Sequence, residues 1–276
     1  VSEILQVENL VKHYSKKNFF GKEISLVKAV DDVSFSIREG ETLVLAGESG
    51  SGKSTIAKLI LHVIPSDSGK IVFDGMDISN DSQSLKKIRT GIQMVYQDPY
   101  DSINPQMKVK DIISEPLEIH KIGNSKERQE MVGQVLHEVK LEPAEEIMEK
   151  YPHMLSGGQR QRIVLARALV LKPKMIIADE PVSMLDVSIR AEVLELMNEL
   201  RQKHYISFLY ITHDLATAKY FGQKIAILHE GKIVESGPID EVLFSPKHPY
   251  TQALIDAISE PDPNNLNREK KIRAFS

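Results

Sequence analysis

The chain of 276 residues contains no cysteine. That excludes disulfides, thiolate zinc sites, cysteine-held iron–sulfur clusters and cysteine nucleophiles together, and it fits a reducing cytoplasm. Long apolar runs are also missing: no stretch approaches the roughly 18–20 residues that a helical membrane span needs. Val1–Lys12 has no charged segment followed by a long apolar one, so no signal peptide is expected there. Any membrane role is then expected to be peripheral and to run through a partner. Neither sign of charge dominates, since 35 Lys and Arg stand against 39 Asp and Glu for a net charge of −4. That balance argues against a general nucleic-acid binder. There is no internal repeat and no low-complexity tract. A hydrophobic content of 41% and a charged content of 27% are ordinary for a globular protein. The length suits one large α/β domain or two modest ones with a sizeable core.

What the chain does have is a phosphate cradle. Gly47-Glu48-Ser49-Gly50-Ser51-Gly52-Lys53-Ser54-Thr55 matches G-x-x-x-x-G-K-[ST]. It follows the apolar, strand-like Thr42–Ala46 and precedes a helix-like run over Thr55–Val63. Backbone N–H groups converge on a triphosphate only where side chains are absent, which Gly47, Gly50 and Gly52 allow. The start of the following helix adds unpaired N–H groups and a positive dipole end. Lys53 is placed to reach the β- and γ-phosphates, and Ser54 offers a hydroxyl to Mg²⁺.

Leu5–Tyr14 and Ala29–Ile37 read as strands separated by a loop over Ser15–Lys28, and Gly69–Phe73 as a strand with a turn at Asp74-Gly75. Ile92–Gln97 is another apolar strand. Pro99, Asn104 and Pro105 then predict an irregular loop over Asp98–Met107, exposed and partly rigid, with Tyr100 and Ile103 as apolar contact residues. From Val109 to Lys150 the pattern is helical and charge-rich, so Asp98–Ser156 reads as a helical insertion. Beyond it, helix Gly157–Leu171, strand Lys174–Asp179, helix Ser188–Lys203 and strand Ser207–Thr212 alternate as βαβ units on a parallel sheet do. Lys224–His229 and Lys232–Ser236 form a strand pair joined at Glu230-Gly231. Glu260–Ser276 is a polar tail.

Two further segments carry chemistry. Met175-Ile176-Ile177-Ala178-Asp179-Glu180 is a buried-strand pattern ending in two acids. Asp179 is placed to hold Mg²⁺ through water, and Glu180 to orient or deprotonate water attacking the γ-phosphate. Ser156-Gly157-Gly158-Gln159 combines a hydroxyl with two glycines at a helix start. It reads as a second anion site or as an N-cap, and both roles are compatible. Two phosphate cradles serve one nucleotide if each nucleotide lies between the P-loop of one subunit and the Ser-Gly-Gly of another. Phe19-Phe20 either touch a partner or the membrane, or pack on the body. The basic residues at Lys86, Lys87, Arg89 and Arg160–Arg167 read mainly as solvated helix faces.

These motifs, together with Gln97 after a strand, Ser183–Asp186 as SMLD and His213 in ITHD, occur in the order found in ATP-binding-cassette ATPases. The resemblance covers about Leu5 to Leu254. It implies an α/β P-loop NTPase fold with a small antiparallel β subdomain and an inserted helical subdomain. It also implies ATP and Mg²⁺ as ligands, with Gln97 contacting Mg²⁺ and the attacking water and His213 contacting the γ-phosphate. Tyr14 is implied to stack on adenine. More narrowly, Gln97–Pro105, the run EPVSMLDVSIRAEVLELM and Ser245–Leu254 with its HPYT element resemble the ATPase subunits of oligopeptide, dipeptide and nickel importers. That resemblance implies an ATPase domain over 1–259, with its helical insertion at about 98–156, an HPYT element at about 245–259 and the tail at 260–276. The implied partners are membrane-spanning permease subunits at the cytoplasmic face and a second ATPase, or a second copy of this chain. A substrate-binding protein is implied indirectly, and no nucleic acid. Met184 stands where the family usually has alanine, in a loop at the dimer interface. The alternative is a soluble cassette acting on DNA or ribosomes. Against it stand the absence of a long coiled coil between Gln97 and Leu155, of cysteine zinc sites and of a second cassette. A small-molecule kinase would leave LSGGQ unexplained.

Overall fold

Thr42–Ala46 is a strand because all five of its residues are withdrawn from water, as the continuous apolar run requires of a strand covered on both faces. The computed structural model describes residues 2–17, 23–79 and 85–259. In chain order it places β1 (Glu3–Lys17), β2 (Glu23–Arg38), β3 (Thr42–Ala46), α1 (Lys53–Ile60), β4 (Ser68–Phe73) and β5 (Met76–Asp77). Next come α2 (Leu85–Gly91), β6 (Ile92–Val95), α3 (Pro99–Ser102), α4 (Val109–Ile119), α5 (Ser125–Glu138) and α6 (Ala144–Met148). A 3₁₀ turn (Pro152–Met154) leads to α7 (Gly157–Leu169), β7 (Met175–Asp179), α8 (Val187–His204) and β8 (Ser207–Thr212). The chain continues with α9 (Leu215–Phe221), β9 (Lys224–His229), β10 (Lys232–Pro238), α10 (Ile239–Phe244) and α11 (Pro249–Ser259). Two compact units result. The P-loop unit gathers the described residues of Leu5–Ile37, Thr42–Asn80 and Tyr210–Ser276; the helix-rich unit gathers those of Val1–Ile4, Arg38–Glu41 and Asp81–Leu209.

In the P-loop unit an antiparallel sheet runs in the order β2-β1-β4-β5. Leu5 lies opposite Phe73 and Val7 opposite Ile71, and all four are buried, so one face of this pair supplies core. The register shifts between Glu8 and Val11, where Asn9 takes a φ of 48° and its side chain donates to Asp32 at 2.8 Å. A parallel pair, β3 with β9, matches Leu43 to Lys224 and Ala46 to Ile227. The β9–β10 hairpin turns at Glu230 and Gly231, both at positive φ, as a tight hairpin turn demands. The expected loop over Ser15–Lys28 is corrected here: strand continues to Lys17 and resumes at Glu23. Leu26 and Val27 are exposed, so this ribbon is held by its backbone ladder and shows no alternation to read. Phe19 and Phe20 lie outside the described residues, as does the tail 260–276.

In the helix-rich unit β6 and β7 pair in parallel from Ile92 opposite Met175 to Val95 opposite Ala178. Helix α7 packs on β6 and on α4, and α4 on α5. Their shared core contains Ile112, Ile113, Leu117, Val132, Leu136 and Ile163, spaced at helical intervals along each element. Asp98–Met107 is not wholly irregular, since Pro99–Ser102 makes a helical turn with Pro at its first position. Ile103 is only 6% exposed, which corrects its expected place on an open contact surface. The side chain of Tyr100 is outside the described residues.

Candidate active site

Strand β3 delivers the chain into the P-loop, where Gly47, Gly50 and Gly52 take φ values of 153°, 83° and 111°. A β-carbon at Gly47 would run into the backbone carbonyl of Leu228, and one at Gly52 into that of Ala29. Glycine is thus required by backbone approach as well as by φ. Gly52 is also the N-cap of α1, in left-handed conformation and with no side-chain cap. The first N–H groups of that helix face the loop without a capping oxygen, and no acid stands in the first turn. Such a helix start is an anion site.

Lys53 is 6% exposed. Its ammonium donates to the carbonyls of Gly47 and Glu48 at 2.8 and 2.7 Å and to the hydroxyl of Ser51 at 3.4 Å. Three oxygens therefore keep a buried charge solvated by protein at the mouth of the loop. The loop is pinned from outside as well. Gly231 N–H donates to the carbonyl of Ser51 at 3.0 Å, and Glu48 N–H donates to the phenol of Tyr250 at 3.3 Å. Glu48, Ser49, Gly50 and Ser54 are open to solvent, and Thr55 is half-buried. In the same unit Tyr14 is 43% exposed, with the Lys12 ammonium 5.7 Å from its ring centroid, so it is not a core residue. His213 is exposed just beyond β8, next to Asp214, which caps α9 through the N–H of Ala216 at 2.9 Å.

The helix-rich unit holds the acids. Glu180 follows β7 and Asp179, and its φ of 48° is unusual for a residue with a side chain. The turn is fixed by Ser183, whose N–H and hydroxyl both donate to the carbonyl of Glu180, at 3.2 and 3.0 Å. The carboxylate of Glu180 accepts from the amide nitrogen of Gln97 at 3.0 Å. Arg190 donates to the carbonyls of Leu185 and Ser183 at 2.8 and 3.1 Å, fixing the loop that leaves Met184 63% exposed. Ser156 caps α7: its hydroxyl accepts from Gln159 N–H at 3.2 Å, and the Gln159 side chain accepts from Ser156 N–H at 3.0 Å. A β-carbon at Gly158 would meet a methyl of Ile189 at 2.7 Å, so this glycine is needed for helix packing. The N-cap reading of Ser156 is therefore real, and Gly157 stands at the first position of the helix.

The structure brings Gln97 to Glu180, and Gly47, Glu48, Ser51 and Lys53 into one closed loop. Sequence reasoning missed the guanidinium of Arg190 behind the Ser183–Asp186 loop. It also missed the contact of Tyr250 with the P-loop: the HPYT segment marked Tyr250 but not its partner.

A glycine-lined loop closed by a lysine at a helix start defines a P-loop nucleotide-binding protein. Comparison with known proteins narrows the class. Residues 30–183 match the family model described as ABC transporter, and residues 234–274 match that of the oligopeptide/dipeptide transporter C-terminal region. Among curated proteins the chain is similar to the oligopeptide transport ATP-binding protein OppF of Streptococcus mutans, 48% identical over 95% of this chain and 83% of that one. It is also similar to the dipeptide transport ATP-binding protein DppF of Escherichia coli, 42% identical over 98% and 80%. Among solved structures, the ATP-binding cassette MJ0796 bound to ADP and Pi aligns with a TM-score of 0.74 at 27% identity, covering 85% of this chain and 98% of that one. The chain belongs to the ABC transporter family, as an ATP-binding subunit that hydrolyses ATP. The expected fold class and the energy-coupling ATPase reading are borne out, and the DNA or ribosome alternative finds no support among these relatives. Among the described residues no helix is long and apolar enough to cross a membrane.

Proposed function

We propose that this ATPase drives import of peptides or a related small solute, docked peripherally on membrane-spanning permease subunits at the cytoplasmic face. The names of the relatives and the match of residues 234–274 support the substrate class. A secreted binding protein would deliver the solute to the permeases. The ATPase domain then spans 1–259, with the helical segment at about 98–156 passing motion to the permeases and the tail at 260–276 outside it.

The single observation that carries the mechanism is the bond from Gln97 to the carboxylate of Glu180. Gln97 donates through its amide nitrogen, so the amide oxygen remains to accept from a water. Glu180, held by that amide and by the turn that Ser183 locks, takes a proton from the same water. The water oxygen bonds to the γ-phosphorus as the bond to the bridging oxygen breaks, leaving ADP and inorganic phosphate. Lys53 and the amides of Gly47–Thr55 neutralise the phosphates, His213 contacts the γ-phosphate and Tyr14 stacks on adenine. Ser54, Asp179 and Gln97 are oxygen donors of the hard kind that Mg²⁺ takes, and among the described residues no acid and histidine cluster forms a cage of its own. A metal here would keep phosphate and water ligands. When bound, Mg²⁺ supplies positive charge to the phosphate oxygens. Ser156, Gly157, Gly158 and Gln159 would meet the γ-phosphate held by a second ATPase subunit, a paralogue or another copy of this chain.

Glu180→Gln keeps the shape and the hydrogen bond but removes the base. ATP binding, followed by calorimetry, should persist while turnover falls by roughly two to four orders of magnitude. A variant that keeps more than a tenth of parental turnover moves the base elsewhere.

A further inference from the structure

The HPYT segment is the one strong sequence feature that hydrolysis leaves unexplained. Each of its residues has a physical task in the structure. Pro249 opens α11, the position where a missing N–H does no harm. His248 accepts the N–H of Tyr250 on its ring Nδ1 at 3.2 Å, and Thr251 is fully buried. The carboxylate of Glu235, on β10, accepts the N–H groups of Lys247 and His248 at 2.8 and 3.0 Å, which ties the start of α11 to the sheet. Tyr250 is 8% exposed and stacks on the ring of His229, with centroids 3.8 Å apart and planes 26° from parallel. Its phenol reaches past the sheet to the P-loop.

That contact falls on the peptide of Glu48. The N–H of this residue donates to the Tyr250 phenol at 3.3 Å, and its carbonyl accepts the Lys53 ammonium at 2.7 Å. One residue is thus gripped from both sides at the entry to the anion-binding turn. The neighbour of His229, Leu228, abuts Gly47 through its carbonyl, so the stacked ring rests on the strand that also shapes the loop. A helix that merely covered β10 would need only an apolar ring at position 250. The hydroxyl is aimed at a backbone amide of the P-loop, and burial pushes its pKa up to about 12, so it stays a neutral acceptor.

We propose that His248–Thr251 is a clasp that presets the P-loop for ATP, with Tyr250 as its positioning residue. This rests on the reading of Gly47–Thr55 as the nucleotide site. Holding the Glu48 peptide before the nucleotide arrives removes conformational freedom that binding would otherwise have to freeze. The C-terminal element thereby becomes part of the nucleotide site, although it touches no phosphate. By reciprocity, ATP binding tightens the seat of α11 by the same factor.

The test is Tyr250→Phe in the full chain, which keeps the ring and its stack on His229 and removes only the acceptor. Loss of one hydrogen bond of this kind should raise the calorimetric Kd for ATP and ADP roughly three- to tenfold. KM should rise in step, with kcat at saturating ATP falling less than threefold. In the nucleotide-free protein, hydrogen exchange over Gly47–Gly52 should quicken while the melting temperature of the chain moves little. A Kd within twofold of the parent overturns the clasp, whatever the exchange shows. Lys53→Ala in the same assay separates the two ideas. If Lys53→Ala binds poorly and Tyr250→Phe binds normally, only the clasp falls; if both bind normally, the P-loop reading itself falls and the clasp with it.

Discussion

The ammonium of Lys53 rests on carbonyls of its own loop, and the proposed role at the phosphates would have it exchange those oxygens for phosphate. The energy of such an exchange would be a difference between two solvated states of one buried charge. Glu149 illustrates charge at the same scale on an open surface. Its carboxylate accepts from Lys108 at 2.7 Å and Lys110 at 2.5 Å, and these two partners, Lys108 foremost, lower its pKa to about 2 from an ordinary 4.5. A folded-state value below the unfolded one gives stability that is complete above about 4.5 and is lost as pH falls toward about 2. Because the group faces water, salt screens the effect. Glu149→Gln should lower the melting temperature slightly at pH 7, and the gap to the parent should shrink at pH 3 and in high salt. Equal gaps at pH 7 and pH 3 would show that the two lysines contribute nothing through charge.

At the scale of elements, α5 and α7 start in the same way. Asn124 accepts from the N–H groups of Lys126 and Glu127 while Glu127 reaches back, and Ser156 with Gln159 repeats the arrangement. The match makes an internal control. Asn124→Ala and Ser156→Ala should each cost about 1 kcal/mol of stability through loss of a cap, measured by chemical denaturation. If Ser156 also meets a nucleotide across a subunit boundary, only Ser156→Ala should lose ATP-driven association in size-exclusion chromatography of the Glu180→Gln background. Equal behaviour of the two variants would leave LSGGQ as a helix cap alone. The Ser183–Asp186 loop shows a similar division of labour: Arg190 satisfies the carbonyls of Ser183 and Leu185, while Met184 and Asp186 face outward.

For the molecule as a whole, the question is what those outward side chains meet. Met184, on the loop that Arg190 fixes, and Val187, at the start of α8, are exposed; the proposed second ATPase subunit would cover them. Met184→Glu should leave ATP affinity of the isolated chain within about twofold and weaken ATP-driven association roughly tenfold or more, since a charge would be desolvated there. Light scattering with the Glu180→Gln background measures it. Association at parental strength would remove this loop from the interface. Both units carry candidate groups, with Lys53, His213 and Tyr14 in one and Gln97, Asp179 and Glu180 in the other.

The sequence by itself determined the ATPase family, the P-loop, the two acids at the end of β7 and the tight turns at Asp74-Gly75 and Glu230-Gly231. Each of these is written in local chemistry: glycine where φ is positive, continuous apolar residues where a strand is covered, an acid where the strand ends. Tertiary structure decided the rest. The long ribbon of β1 and β2 could not be read because its exposed arms carry no alternation. Helices α9, α10 and α11 were missed because short helices owe their stability to packing more than to propensity. Ile103, just after the α3 turn, proved buried. The hold of Tyr250 on Glu48, some 200 positions away in the chain, is a long-range hydrogen bond, and no local pattern encodes the partner of such a bond.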